Sequence, residues 1–226
     1  KTNLMNNFRI LISRPDRVGD VILSTPIPRE IKKKYPDSFV AVLLRSYTKD
    51  IYENNPYVDE IILDDYDKDN SLQVFFRQVN KIRKLKFTHS VMLIPTERIN
   101  WMLFFAGIKN RIGVGHKFYQ FLTNTKSVYR NKYIPLRHEA DYCMDSVRKM
   151  GIETDNLSAE IHLNEEEILK SLNLKREIAP NKEKIIGIHS TYGNSSPNWK
   201  PGEYKFLIDE LEKSNYKIII TDSDPP

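Results

Sequence analysis

The sequence is poor in cysteine and has no long apolar segment. Cys143 is the single cysteine among 226 residues, which excludes a framework of intramolecular disulfide bonds and favours a reducing compartment. No apolar run approaches the roughly 18 residues that a membrane-spanning helix needs. The first residues, KTNLMNNF, lack the apolar core of a signal peptide. These absences predict a cytoplasmic protein, and they leave open a peripheral contact with the inner face of the cytoplasmic membrane.

Charge, glycine spacing and histidine spacing give no sign of a nucleic-acid, dinucleotide or metal site. A net charge of +5 and a pI near 9.1 suit a protein that meets anionic lipid or a phosphorylated substrate, but they do not predict nucleic-acid binding. The stretch Gly113–Gly115 is too short to be a dinucleotide fingerprint. Metal-ligand spacing is missing from the five histidines, which are His89, His116, His138, His162 and His189. The sequence therefore predicts no metal site.

The most informative stretch lies near the amino terminus, in residues 8–34. Ile10–Ile12 has the apolar pattern of a buried strand, and Pro15 and Gly19 indicate a loop after it. Asp20 follows where a helix N-cap is expected. In an open α/β sheet, the end of the first strand and the start of the next helix line the ligand crevice. Asp20 is therefore either a helix cap or a catalytic carboxylate.

Apolar segments of strand and helix type alternate along most of the chain. Buried strands are expected at residues 39–44, 60–63, 90–94, 111–114, 159–163, 184–189 and 216–221. Helices are expected at residues 48–53, 71–86, 99–106, 137–150 and 201–215, with another starting at the capping-box pair Asn164 and Glu167. This alternation predicts an α/β fold with a doubly wound, Rossmann-like sheet.

A polar stretch, Lys175–Lys184, indicates a linker between two domains. We expect a Rossmann-like first domain over residues 1–176 and a second domain over residues 177–226. The second stretch offers one strand–helix–strand unit, which is too small to cover both faces of a parallel sheet. It is therefore interpreted as the beginning of a second Rossmann-like domain that is cut short.

Five segments together resemble one known family, the bacterial lipopolysaccharide heptosyltransferases of glycosyltransferase family 9. They are RILISRPDRVGDVILSTPIPREIKKKYPD, YTKDIYENNPYVDEII, FFAGIKNRIGVG, RHEADYCMDSVRKMGI and IIGIHSTYGNSSPNWKPGEY. The segments are spread from residue 9 to residue 204, so the resemblance covers nearly the whole chain. It implies a GT-B architecture, in which an acceptor-side domain and a nucleotide-sugar domain face each other across a cleft.

The resemblance also implies roles for individual residues. Asp20 occupies the position of the family's general base in an inverting, metal-independent transfer that needs no cofactor besides the ADP-sugar donor. The loop of residues 190–198 would bind the donor diphosphate through hydroxyls, backbone amides and a cation. The family has a lysine two residues before the tryptophan of this loop, whereas this chain has Pro197 there and a lysine just after Trp199. The candidate donor-binding residues are Ser190, Thr191, Gly193 and Lys200.

Cationic side chains near the expected crevice are the candidates for binding an anionic acceptor. Each of them could equally be an ordinary solvated charge, and Arg14 and Arg17 could form a surface pair with Asp16. The acceptor-binding candidates are Arg14, Arg17, Arg98, His116, Lys117 and Arg137.

The resemblance implies an enzyme that transfers a heptose or a similar sugar from an ADP-sugar to a lipid-linked lipopolysaccharide core acceptor. Two alternatives stay open at the level of sequence. One is a non-catalytic acceptor-binding module or fragment, because the family's later Asp-Thr-Gly…His segment has no counterpart here. The other is a GT-B transferase with a different nucleotide-sugar donor.

Overall fold

A computed structural model describes residues 8–129, 137–189 and 199–221. The chain divides into two compact units, residues 1–162 and residues 163–226. The polar stretch expected to link the domains begins inside a helix of the second unit, Glu165–Ile178. No helix in the described ranges has the length and apolar character needed to cross a bilayer.

The first unit is built on a six-stranded, fully parallel sheet. Its strands pair in the order β3-β2-β1-β4-β5-β6, so the sheet grows outward in both directions from β1 and β4. The strand bounds are β1 Arg9–Ser13, β2 Phe39–Leu44, β3 Glu60–Leu63, β4 His89–Met92, β5 Asn110–Val114 and β6 Lys126–Val128. This is the strand order of a Rossmann fold, and it confirms the predicted fold class.

Helices connect the parallel strands and cover both faces of the sheet. They are α1 Val18–Ile22, α2 Pro26–Lys34, α3 Leu72–Lys84, α4 Glu97–Phe105, α5 Phe118–Leu122 and α6 Glu139–Arg148, and a 3₁₀ helix at Ser46–Ile51 joins β2 to β3. Consecutive strand residues point to opposite faces. In β1, Ile10 and Ile12 pack with residues of α2 and α6, whereas Leu11 packs with residues of α3 and α4. Both faces are therefore buried, which is why these strands are continuously apolar in sequence.

The second unit contains α7 (Glu165–Ile178), β7 (Lys184–His189), α8 (Pro201–Lys213) and β8 (Tyr216–Thr221). The strands β7 and β8 are parallel and pair from Lys184 with Tyr216 to His189 with Thr221. The predicted capping box is confirmed, because Asn164 and Glu167 exchange backbone and side-chain hydrogen bonds of 2.8 and 2.9 Å.

Two local predictions are wrong, and one pair of elements was not predicted. The helix expected from Asp20 onward is two helices, α1 and α2, because Pro26 and Pro28 favour a new helix start at Pro26. Residues 159–163 form no strand, since their alternating pattern lies on a connecting segment. The short crossover from α5 to β6 was missed, because a five-residue helix and a three-residue strand carry too little periodicity to detect.

Candidate active-site cleft

A cleft of about 420 Å³ opens at the carboxyl ends of β1, β4 and β5. Strand order reverses between β1 and β4, and in open α/β sheets ligands bind at such a switch point. The cleft is lined by Arg14, Asp16, Asp20, Leu93, Ile94, Pro95, Val114, Gly115, His116, Lys117 and Glu139. Residues from four separate parts of the first unit therefore meet at one edge of the sheet.

Arg14 is the buried centre of this cleft and is only 3% exposed. Its Nη1 donates to the backbone carbonyl of Leu93 at 2.9 Å. Its Nη2 donates to Asp20 Oδ1 at 2.9 Å and to Glu139 Oε1 at 3.2 Å, and it lies 3.6 Å from Asp16 Oδ2. One guanidinium therefore ties together the loop after β1, the end of β4 and the start of α6.

Burial lowers the pKa of Arg14, but the nearby Cys143 and the carboxylates around the guanidinium outweigh this effect and hold the pKa above its usual value. A cation buried here without partners would be costly, whereas three carboxylates compensate it. Arg14 is therefore a permanent positive charge that orients acidic groups. Because Arg14 already contacts Leu93, Asp20 and Glu139, this structural role competes with the direct binding of an acceptor that the sequence suggested.

Asp20 lies inside the first turn of α1 and is not its N-cap, which is Arg17. The capping interpretation of Asp20 is therefore wrong. Its side chain is 35% exposed, and its Oδ1 accepts a hydrogen bond from Arg14. The carboxylate is thus held at one oxygen while the other side is accessible from the cleft, which is the arrangement a general base needs.

Glu139 is a site residue that sequence reasoning did not select. It opens α6, where His138 Nδ1 accepts a hydrogen bond from Ala140 N at 3.3 Å and caps the helix. The side chain of Glu139 is 21% exposed and reaches across to Arg14. Its position in the segment RHEADYCMDSVRKMGI was the available signal, but the pairing with Arg14 spans 125 residues of sequence.

His116 and Lys117 lie at the rim of the cleft, after the end of β5, and both are exposed. Gly115 precedes them with a positive φ of 96°, a conformation that favours glycine, and Pro95 packs against this turn. The backbone N–H of Lys117 donates to Gln120 Oε1 at 2.8 Å, which fixes the start of α5. The structure therefore brings these two predicted residues to the same cleft as Asp20.

The structure does not bring the other three acceptor-binding candidates into the lining. Arg98 forms a bidentate pair with the buried Asp64, with both distances 3.3 Å. Arg137 pairs with Asp141 and with both oxygens of Asp145 at 2.9 Å, all on the helix that it precedes. Arg17 is exposed beside the cleft, next to Asp16.

The donor-binding candidates belong to the second unit. Ser190, Thr191 and Gly193 lie outside the described residues. Lys200 is exposed at the N-cap of α8, and its backbone N–H donates to Glu203 Oε2 at 2.6 Å.

The first unit thus presents an accessible carboxylate, a buried cation that orients it, and a histidine and a lysine at the rim of a cleft. A carboxylate can accept a proton from a bound hydroxyl, and the two rim side chains can donate hydrogen bonds to an anionic substrate beside it. The cleft is therefore suited to proton abstraction on a hydroxylated, anionic ligand. No cluster of three or more acidic, histidine or cysteine side chains suited to hold a metal ion occurs within the described ranges.

No protein-family model matches the chain. A curated Haemophilus influenzae protein, named as an inferred glycosyltransferase, is 26% identical over 214 residues, which cover 90% of this chain and 60% of that protein. The chain therefore spans less than two thirds of the length of this relative.

Solved structures share the fold. A glycosyl transferase family 9 structure from Veillonella parvula has a TM-score of 0.77 and 22% identity, and it covers 95% of this chain and 62% of that one. The Escherichia coli ADP-heptose lipopolysaccharide heptosyltransferase II has a TM-score of 0.70 and 18% identity, with 94% and 64% coverage. The Escherichia coli heptosyltransferase WaaC with ADP has a TM-score of 0.71 and 12% identity, with 96% and 69% coverage. The chain is thus similar in sequence to a glycosyltransferase and has the fold of the family 9 heptosyltransferases, which confirms the resemblance.

Proposed function

We propose that the protein is an inverting glycosyltransferase that moves a heptose or a similar sugar from an ADP-sugar to a lipopolysaccharide core acceptor. The observation that carries this proposal is the Asp20 carboxylate, held by Arg14 in a cleft at the switch point of the sheet. The similarity to family 9 transferases, one of them bound to ADP, supports the choice of donor. The lipid-linked acceptor places the reaction at the cytoplasmic face of the membrane.

In the proposed reaction, an acceptor hydroxyl lies within hydrogen-bond reach of Asp20. As Asp20 takes the proton, the hydroxyl oxygen attacks the anomeric carbon of the donor sugar from the side opposite the diphosphate. The bond from that carbon to the diphosphate oxygen breaks, and ADP leaves with the electron pair. A single displacement of this kind inverts the configuration at the sugar carbon.

Charge balance sets the roles of the remaining groups. The leaving diphosphate gains negative charge in the transition state, so preorganised amides, hydroxyls and a cation around it lower the barrier. We assign this role to Ser190, Thr191, Gly193 and Lys200. Neither a metal nor any other cofactor is part of the proposal, and the ADP-sugar is a substrate.

On the acceptor side, the proposal assigns binding of phosphate or carboxylate groups to His116 and Lys117 at the rim, and to the exposed Arg17 on the loop after β1. Arg14 holds the carboxylates of Asp20 and Glu139 from the buried side of the cleft. The proposal gives Arg98 and Arg137 no role in acceptor binding, because both are paired with carboxylates outside the cleft lining.

The test is Asp20→Asn in the full-length protein, assayed with ADP-heptose and a purified lipopolysaccharide core acceptor. Loss of the base should reduce kcat by roughly 10²–10⁴-fold, while ADP binding and thermal stability stay near those of the unmodified protein. Asp50→Asn, the same change at an exposed position on the 3₁₀ helix, is the matched control and should keep full activity. Turnover retained by Asp20→Asn would refute the base assignment, and absence of transfer by the unmodified protein would refute the proposed function.

A further inference from the structure

Helices α3 and α4 leave a contiguous group of large apolar side chains on the surface, which we call the aromatic patch. Phe76, Phe104 and Phe105 are 49%, 40% and 43% exposed, and Leu72 is 75% exposed. Ring centroids of Phe105 lie 6.2 Å from Phe76, 5.8 Å from Trp101 and 5.5 Å from Phe104. Single exposed apolar residues are ordinary, whereas a contiguous patch indicates an interaction surface. The aromatic patch consists of Leu72, Phe76, Trp101, Phe104 and Phe105.

Trp101 packs against the edge of the core, but Leu72 and Phe76 are not required by the core of the first unit. The core face of α3 is formed by Phe75, Val79 and Ile82, which are buried against the sheet. Leu72 and Phe76 are one helical turn apart and lie together on a different face of α3. The folding of the unit therefore does not explain why the patch is apolar.

The same part of the chain is strongly basic. Residues 71–126 contain ten lysines and arginines but a single acidic residue, Glu97, although the net charge of the whole chain is only +5. Five of these cations are exposed on α3 or directly after it, namely Arg77, Lys81, Arg83, Lys84 and Lys86.

Exposed cations lie along α3, the helix that also carries Leu72 and Phe76. On α3, Arg77, Lys81 and Lys84 recur at helical spacing and line a groove of about 420 Å³ together with Asn80, Leu85 and Glu60. Within the described part of the chain, no carboxylate forms an ion pair with these three cations. On the α4 side, Arg83 Nη2 donates to the carbonyl oxygen of Phe105 at 2.7 Å, so its charge lies at the edge of the patch.

We propose that the aromatic patch and its flanking cations dock onto a bilayer surface that contains anionic phospholipids. Aromatic side chains that enter the headgroup region and cations that meet lipid phosphates form the combination that binds such a surface. A symmetric contact with a second copy would bring the two basic flanks together, so charge disfavours that occupant. This inference names the surface for the membrane contact of the proposed function, and vesicle binding needs neither donor nor acceptor.

The first test is sedimentation of the full chain with phosphatidylcholine vesicles, with and without phosphatidylglycerol. The double variant Lys81→Gln/Lys84→Gln should bind the anionic vesicles more weakly by roughly fivefold for each charge removed. The control is Lys34→Gln/Lys149→Gln, which makes the same change at exposed positions at the ends of α2 and α6, on the opposite face of the sheet. Equal loss in both double variants, or equal binding to both kinds of vesicle, would overturn the proposal.

The second test asks whether the apolar side chains enter the bilayer. The chain has two tryptophans, so in a Trp199→Phe variant the fluorescence reports Trp101 in the patch. Emission should shift to shorter wavelength on anionic vesicles and be quenched by brominated lipid, and Phe76→Gln in that background should reduce both effects. Unchanged Trp101 emission, or a patch-dependent dimer in place of vesicle binding, would refute the proposal.

The two proposals fail separately. A protein that transfers sugar to a soluble acceptor but ignores anionic vesicles would refute the docking surface alone. A protein that binds vesicles through the patch but transfers no sugar would refute the proposed function alone.

Discussion

Arg14 Nη2 donates to Asp20 Oδ1 at 2.9 Å, and the other terminal nitrogen of the same guanidinium donates to the carbonyl of Leu93. The candidate base is therefore fixed to the end of β4 through a buried arginine, although it lies on a short helix after β1. Orientation of a catalytic group by a supporting residue of this kind matters because small displacements of reacting groups strongly reduce rates.

Replacement of Arg14 by lysine should separate orientation from charge. A lysine keeps the positive charge but cannot donate in two directions at once to Leu93 and the carboxylates. We expect kcat to fall by at least about tenfold with a smaller change in the KM for the acceptor, because Asp20 loses its orientation. Steady-state kinetics checks the split, and a selective rise in KM with unchanged kcat would identify Arg14 as an acceptor ligand instead.

Glu139→Gln should test how far Glu139 compensates the buried charge of Arg14. The amide keeps an oxygen that can accept from Arg14 but removes one of the three negative charges around it. Arg14 keeps an acceptor there but loses part of the charge that compensates its burial, so we expect the free energy of unfolding to fall by about 1–3 kcal/mol. Urea unfolding checks this; an unchanged stability would show that Glu139 does not compensate Arg14, and Glu153→Gln, at a largely exposed carboxylate, is the control.

Arg137→Ala should change the pKa of Asp141 and leave sugar transfer unaffected. Hydrogen bonds from Arg137, and then from Arg148, outweigh burial and lower the pKa of Asp141 to about 2. A lowered folded-state pKa stabilises the protein above the unfolded value near 3.9, and this stabilisation is lost as pH falls toward about 2. The variant should therefore raise the pKa of Asp141 and lower the free energy of unfolding at pH 7 by less than about 1 kcal/mol, because the Arg137 side chain is exposed to solvent.

Carboxyl NMR titration of Asp141 and denaturant unfolding at pH 7 and pH 2 check this prediction. The stability difference between the proteins should shrink as the pH falls to 2. A raised KM for the acceptor in Arg137→Ala would contradict the structural assignment of Arg137.

Arg29→Met should be the most destabilising of these changes. Arg29 is 6% exposed and donates to Glu30, to Glu160 and to the carbonyl of Asn156, so it ties α2 to the segment that ends the first unit. Its loss leaves Glu160 without this arginine and Glu30 with Lys33 as its remaining cation, at a cost of about 3 kcal/mol. Urea unfolding measures this cost, and Arg77→Met, at an exposed arginine of α3, should cost less than about 0.5 kcal/mol.

The stability lost in Arg29→Met should depend on pH in a definite direction. Burial raises the pKa of Glu30, but hydrogen bonds from Lys33 and Arg29 outweigh it and hold the pKa below its usual value. Stabilisation by this pair is therefore present above about pH 4.5 and declines as the pH falls through the folded-state pKa. A deficit in Arg29→Met that grows as the pH is lowered would contradict this account.

Gly113→Ala should perturb the cleft from inside the sheet. A Cβ at Gly113 would lie 2.8 Å from Gln120 Nε2 and 2.8 Å from Met92 Cε, closer than side chains tolerate. Displacing Gln120 also disturbs its bond to the Lys117 backbone. We expect about 1–3 kcal/mol of destabilisation and a higher KM for the acceptor, whereas Gly202→Ala, with open space around the position, should not destabilise the protein.

The sequence by itself determined the strands and the fold class. The runs at residues 39–44 and 60–63 match β2 and β3 to the residue, because a strand buried on both faces has to be apolar throughout. Helix positions followed from apolar spacing, as with α3, and from caps, as with the capping box before α7. Topology also predicted that Asp20 lies at the crevice, and its role as the base came from the resemblance to the family.

Only the tertiary structure decided which charges meet. Arg98 and Arg137 look in sequence like Arg14, but the first two pair with carboxylates outside the cleft lining. Glu139 reaches Arg14 only because α6 packs beside the sheet after a separation of 125 residues. Periodicity and composition describe how a segment folds locally, whereas a charge cluster depends on long-range contacts that burial of the two apolar faces imposes. For that physical reason the sequence determined the scaffold and pointed to Asp20, and the fold alone determined the network that orients this carboxylate.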